Sequence, residues 1–150
     1  MFAVQIGLPK SIRIAECDTE PCLNLHEDEL YEEMTSLPPA RPMTETTVVT
    51  FQLVKREIMR AYGLVVEHLH ILERRPYEEV MALDAMLIST RNLIPPQFQM
   101  CQMEEMKTDP PASIMERFLL HIMYHKAVCI LHRKYWNSAP VGRPKSLIKG

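Results

Sequence analysis

The chain has 150 residues, 47% hydrophobic and 24% charged, with seventeen basic side chains against nineteen acidic ones and a formal charge of −2. That length fits one domain, and the balance excludes both a chain disordered throughout and a general positive field for polyanions. No apolar run reaches the ~18–20 residues needed to span a bilayer, the opening stretch is too polar and broken for a secretory signal, and four cysteines without a secretory context read as free thiols.

Residues 1–43 carry Pro9, Pro21, Pro38, Pro39 and Pro42, which keep helices short and the backbone extended. Their abrupt start reads like the inside of something longer. Within them "CLNLHEDELYEE", residues 22–33, gathers His26 with Glu27, Asp28, Glu29, Glu32 and Glu33. Asn24 is expected to cap a short acidic helix around residues 27–35, whose carboxylates favour the positive helix end. A calcium loop would need oxygen ligands at alternate positions and a glycine at its sharp turn, and this stretch lacks both. A solvated helix start is the reading, with a partner-binding role left open.

From Thr44 the spacing of Phe51, Val54, Ile58, Ala61, Val65, Leu69 and Leu72 predicts one long helix. Pro76 then suits a first helical position, with Val80, Leu83, Leu87 and Ile94 on one face, and Pro95 and Pro96 end that helix. A methionine-rich connection follows. Asp109 is expected to cap a last helix of about seven turns that is apolar nearly all round, as in a helix buried inside a larger helical body. Residues 138–150 form a basic tail, the one candidate patch for nucleic-acid phosphates, read here as a flexible solvated end.

On the last helix Phe118, Ile122, His125, Cys129, His132 and Trp136 share one stripe by three-and-four spacing. His125, Cys129 and His132 are therefore weak candidates for a zinc site, lacking a fourth ligand; histidines bonded to neighbouring groups are the preferred reading. The His121 and His125 pair lacks the glutamate of a metalloprotease helix, since Ile122 stands there. Four glycines, no nucleophile elbow and no phosphate-cradling loop argue against an enzyme; a metal-dependent one is the remote alternative.

In order, "GLP", "CLNLHEDEL", "LPPARPMTETT", a long helix, "YEEVMALD", "LIPP" and "ERFLLHIMYHKAVCILHRKYW" resemble the middle homology region of fungal-specific transcription factors, whose DNA-binding module is a binuclear zinc cluster of six cysteines. The residues that carry the resemblance are Asn24, Asp28 and Leu30, Leu37 with Pro38, Thr44 through Thr47, and Arg117, Tyr124, His125, Leu131, His132, Arg133 and Tyr135. Lys134 replaces a usual proline, and Cys22 a proline or small residue.

The resemblance implies an all-α regulatory body, part of a larger multi-helix array: an irregular proline-containing segment at 1–43, a helical core at 44–137 and the tail at 138–150. It implies structural roles for the motif residues, with the stripe histidines buried and Arg133 satisfying groups at the helix end. Residues 1–150 hold no six-cysteine cluster, so no cofactor is expected in them, and zinc would belong to that missing N-terminal module. The expectation is a fragment or truncated relative of such a regulator, nuclear and reaching DNA only through the missing module. A stand-alone module that binds a full-length regulator is the alternative. Protein partners or self-association are expected, because helices without their neighbours expose apolar patches.

Overall fold

The computed structural model describes residues 18–71, 76–133 and 135. Four α-helices carry the fold: α1 over Thr50–His70, α2 over Tyr77–Asn92, the single turn α3 over Met103–Met106, and α4 over Pro111–His132. Two 3-10 turns, Glu27–Glu29 and Pro96–Phe98, sit in the connections. No strand occurs among the described residues, so the class is all-α as the sequence implies.

Spacing explains α1 well. Val54, Ile58, Ala61, Tyr62, Val65 and Val66 fall on one side of the helix and are all buried, while Gln52, Arg56, Arg60 and Glu67 face out. The helix begins at Thr50 rather than Thr44. Residues 44–49 are turned instead, because the Thr47 amide donates to Thr50 Oγ at 2.7 Å and the Val49 amide donates to Thr47 Oγ at 3.2 Å. These hydroxyls offer the backbone partners outside a helical ladder, which is how threonine sets a helix start. Leu72, expected to extend the stripe, lies outside the described residues.

Helix α2 starts one residue after Pro76, whose fixed φ of −63° leads into it. Val80, Leu87 and Ile94 are buried and Leu83 is partly so, as the spacing predicts. At its end the amides of Leu93 and Ile94 take up the carbonyls of Thr90 and Arg91, and Pro95 and Pro96 prevent further turns. α2 and α4 run antiparallel. As numbering rises along α2 through Tyr77, Asp84 and Arg91, the residues they meet fall through Tyr135, His132 and Tyr124.

The core forms where α1, α2 and α4 meet, with Phe98 of the second turn closing one end against Phe51 at a centroid distance of 6.2 Å. Helix α4 contributes Leu120, Met123, Tyr124, Ala127 and Leu131. Fully burying such aliphatic or aromatic side chains is worth ~1.5–3 kcal/mol each, which makes this three-helix contact the main source of stability. Its opposite side is bare: Met115 is 68% exposed, Ile122 58% and Leu119 37%. The larger helical body expected around this last helix is not supplied by the described residues. The described helices cover only one of its faces.

Candidate functional site

The strongest concentration of polar contacts lies where the N-terminal arm meets the start of α1. Asn24 is 2% exposed. Its amide nitrogen donates to the carbonyls of Arg41 at 3.3 Å, Pro42 at 3.0 Å and Glu45 at 3.1 Å. Its oxygen accepts the hydroxyls of Thr47 at 2.8 Å and Thr50 at 2.9 Å, and its own carbonyl accepts the Arg41 amide at 2.9 Å. A primary amide has two donors and an oxygen with two lone pairs, so this site uses everything Asn24 offers. The arm at 22–25, the loop at 41–45 and the first turn of α1 are thus held by one side chain.

The expected capping role of Asn24 is corrected. The acidic helix contracts to the three-residue turn Glu27–Glu29, and residue 26 stands at its cap position. Leu30 is extended, with φ −108° and ψ 125°, which ends the turn. Glu29, not Asn24, reaches a backbone donor there, accepting the His26 amide at 2.8 Å. The same carboxylate takes a forked contact from Arg41, with Nη2 to Oε1 at 2.8 Å and Nε to Oε2 at 3.0 Å. Those hydrogen bonds from Arg41, followed by the one from the His26 amide, pull the Glu29 pKa down to about 2. Arg41 also reaches Glu45 at 2.6 Å. Asp28 is exposed and Leu30 half exposed, so these two motif positions do not join the clasp.

A second polar cluster fixes the entry to α4. Arg117 Nε donates to the Gln97 carbonyl at 2.8 Å, and its Nη1 pairs with Asp109 at 2.5 Å. Asp109 was expected to cap α4, but the helix starts beyond it at Pro111, and its carboxylate serves Arg117 instead. Gln97 in turn donates from its side chain to the Met43 carbonyl at 3.0 Å. A continuous path of contacts therefore runs from the arm through the 96–98 turn to α4.

The remaining motif residues divide by face. Arg117, Tyr124 and Leu131, seven residues apart, all turn inward, and Tyr135 packs its ring edge-on to Tyr77 at 5.2 Å. His132 lies 2.9 Å from Asp84 of α2 and ties the two helices together. His125 and Cys129 are exposed, and Arg133 is an exposed C-cap. The expected stripe through Phe118, Ile122, His125 and Cys129 is thus displaced by two positions from the buried one through Leu120, Tyr124, Ala127 and Leu131, a turn of ~200° that puts it on the opposite side of the helix. That corrects the reading of its histidines as buried. Among the described residues no three His, Cys, Asp or Glu side chains converge for a metal ion, so His125, Cys129 and His132 do not form one site. Trp136, Cys17 and the basic tail lie outside the described residues. Cys22, Cys101 and Cys129 are free thiols.

Sequence reasoning did not identify Glu29 and Arg41 as a pair, Asp84 as the partner of His132, or Gln97 as a link. Two of these contacts join residues 48 and 54 positions apart, which no local pattern reports.

Side chains at these clusters lock helices and an extended arm onto one another, and they define a helical packing module. No described helix is long and apolar enough to cross a membrane. No family model matches the chain, and no solved structure does either. Over about nine-tenths of its length, however, it is similar to proteins named as fungal transcription factors, two of them of the Zn(2)-C6 type. It is 33% identical over 141 residues to the Zn(2)-C6 fungal-type transcription factor mpsB of Macrophomina phaseolina, covering 94% of this chain. It is 35% identical over 135 residues to the Zn(2)-C6 fungal-type transcription factor pigI of Monascus ruber, and 30% identical over 134 residues to the fusarisetin A cluster transcription factor fsa6 of a Fusarium species, covering 90% and 89% of the chain. The chain spans 19%, 17% and 18% of those three relatives.

Proposed function

We propose that these residues are a regulatory body of a zinc-cluster transcription factor, part of its middle homology region, acting in the nucleus through protein contacts rather than by catalysis. The observation that carries this reading is homology over nine-tenths of the chain to proteins named as transcription factors. The polar contacts support it, since Asn24, Glu29, Arg41, Arg117 and Asp109 all act to fix helices in place. DNA would be addressed by a six-cysteine module, which residues 1–150 do not contain, and that module would hold the zinc.

A gel-shift on random duplexes at physiological salt tests the division of labour. The chain alone is expected to select no sequence, and recovery of a specific site would overturn the proposal. A second reading, an interaction module that pairs with a full-length regulator, is favoured by the bare apolar side of α4 at Met115, Leu119 and Ile122. Co-expression with such a regulator separates the two. Stable co-purification supports the second reading, and reproducible absence of a complex counts against it.

A further inference from the structure

Beside the C-terminal end of α2, the 99–100 loop and the middle of α4 enclose a pocket of about 420 Å³. Its titratable lining consists of Arg91, His121 and His125, with the side-chain amides of Asn92 and Gln99 and no carboxylate. Such a volume accommodates a small molecule. The Arg91 guanidinium stands over the Tyr124 ring at 5.8 Å, a cation–π contact that holds it beside α4. His121 and His125 are one helical turn apart, with ring centroids 6.4 Å apart.

One nitrogen of a residue lining this pocket is buried and unpaired: His121 Nε2 has no hydrogen-bond partner among the described residues. Burial, first, and the nearby His125 and Arg91 lower the pKa of His121, against the opposing effect of a hydrogen bond to the Phe98 carbonyl. No carboxylate contributes to its surroundings. Elsewhere in the chain comparable cations are matched internally, Arg41 by Glu29 and Glu45 and Arg117 by Asp109. Among the described residues no carboxylate lines this pocket. The Thr90 and Arg91 carbonyls near the end of α2 are taken by the Leu93 and Ile94 amides.

We propose that this pocket binds a small organic anion bearing a carboxylate or phosphate group, held by Arg91 and by His121 and His125. A planar guanidinium is suited to either group through its parallel N–H donors. A bound anion favours the charged form of a neighbouring imidazole, so binding is accompanied by proton uptake at His121. The inference is independent of the transcriptional reading, because it concerns the binding chemistry of this pocket alone.

The test uses the whole chain with citrate and inorganic phosphate as probes, at constant ionic strength, and follows the imidazole C–H resonances of its six histidines. The expected result is saturable shifts confined to His121 and His125, with the His121 titration moving to higher pH. Whichever probe saturates at lower concentration identifies the preferred anionic group. Arg91→Gln is expected to weaken binding at least tenfold, ~1.4 kcal/mol. Arg91→Lys, which keeps the charge but loses the fork, is expected to fall between wild type and Arg91→Gln. His70→Gln, an exposed change outside the pocket, leaves affinity unaltered. Unsaturable shifts shared by all histidines, or an Arg91→Gln protein that binds as the wild type does, would overturn the proposal.

Discussion

Replacing Asn24 removes a donor pair and an acceptor together, because its amide serves three carbonyls and its oxygen two hydroxyls. Buried groups left unpaired cost ~1–3 kcal/mol each, and some would regain water, so Asn24→Ala is expected to destabilise the chain by about 2–4 kcal/mol in a urea melt. Asn24→Asp keeps the shape but cannot donate, so it should be at least as damaging. Near-native stability in the aspartate variant would mean the carbonyl contacts contribute little. Tyr62 makes the opposite case. Its ring is 1% exposed and its hydroxyl is buried with no partner among the described residues, so burial raises its pKa. Tyr62→Phe removes an uncompensated polar atom, and the melt should be unchanged or more stable by ~1 kcal/mol.

Glu29 gives the arm an acid limit. Its pKa is depressed in the folded chain, so its contribution is fully present above the ordinary value of 4.5 and is lost as the pH falls toward about 2. The urea midpoint of the wild type should therefore decline across that window. In Glu29→Gln this part of the decline should be missing, and parallel curves for the two proteins would show that the carboxylate does not couple to folding.

At the scale of the helices, what could be read from sequence depended on contrast between faces. Helix α1 alternates apolar and charged residues with helical period, and its buried side was legible from Val54 through Val65. α4 has apolar residues on nearly every side, so two stripes on opposite sides of the helix, two positions apart, fit almost equally well. The packing against α1 and α2 selected Leu120, Met123, Ala127 and Leu131 and left Ile122 and Cys129 outside. Loop pairings such as Arg41 with Glu29 lacked any periodic signal. Asn24 was legible as a special residue but not in its role, because the carbonyls it binds belong to a loop 17 to 21 residues later. The chosen face of α4 has a direct check. Leu120→Ala, at a fully buried position, should cost about 2–5 kcal/mol, whereas Ile122→Ser should stay within ~0.5 kcal/mol. Equal effects of the two changes would place α4 wrongly.

Across the whole molecule a well-filled core coexists with uncovered apolar side chains on two helices, Met115 and Ile122 on α4 and Met81 and Ile88 on α2. Surfaces of this kind favour association, and the relatives, about five times the length of this chain, contain further chain. The isolated chain is accordingly expected to elute with an apparent mass that rises with concentration. Met115→Glu combined with Ile122→Glu should suppress that rise without lowering the melt.

The central claim is that the chain regulates transcription through its packed fold. It is tested by inserting the chain between a heterologous DNA-binding module and an activating segment and measuring reporter output at matched protein levels. The account predicts that the wild-type chain changes the output, that Asn24→Ala and Leu120→Ala abolish this change, and that Cys129→Ser preserves it. An output indifferent to the chain, or one lost with Cys129→Ser while the two packing variants retain it, would contradict the account.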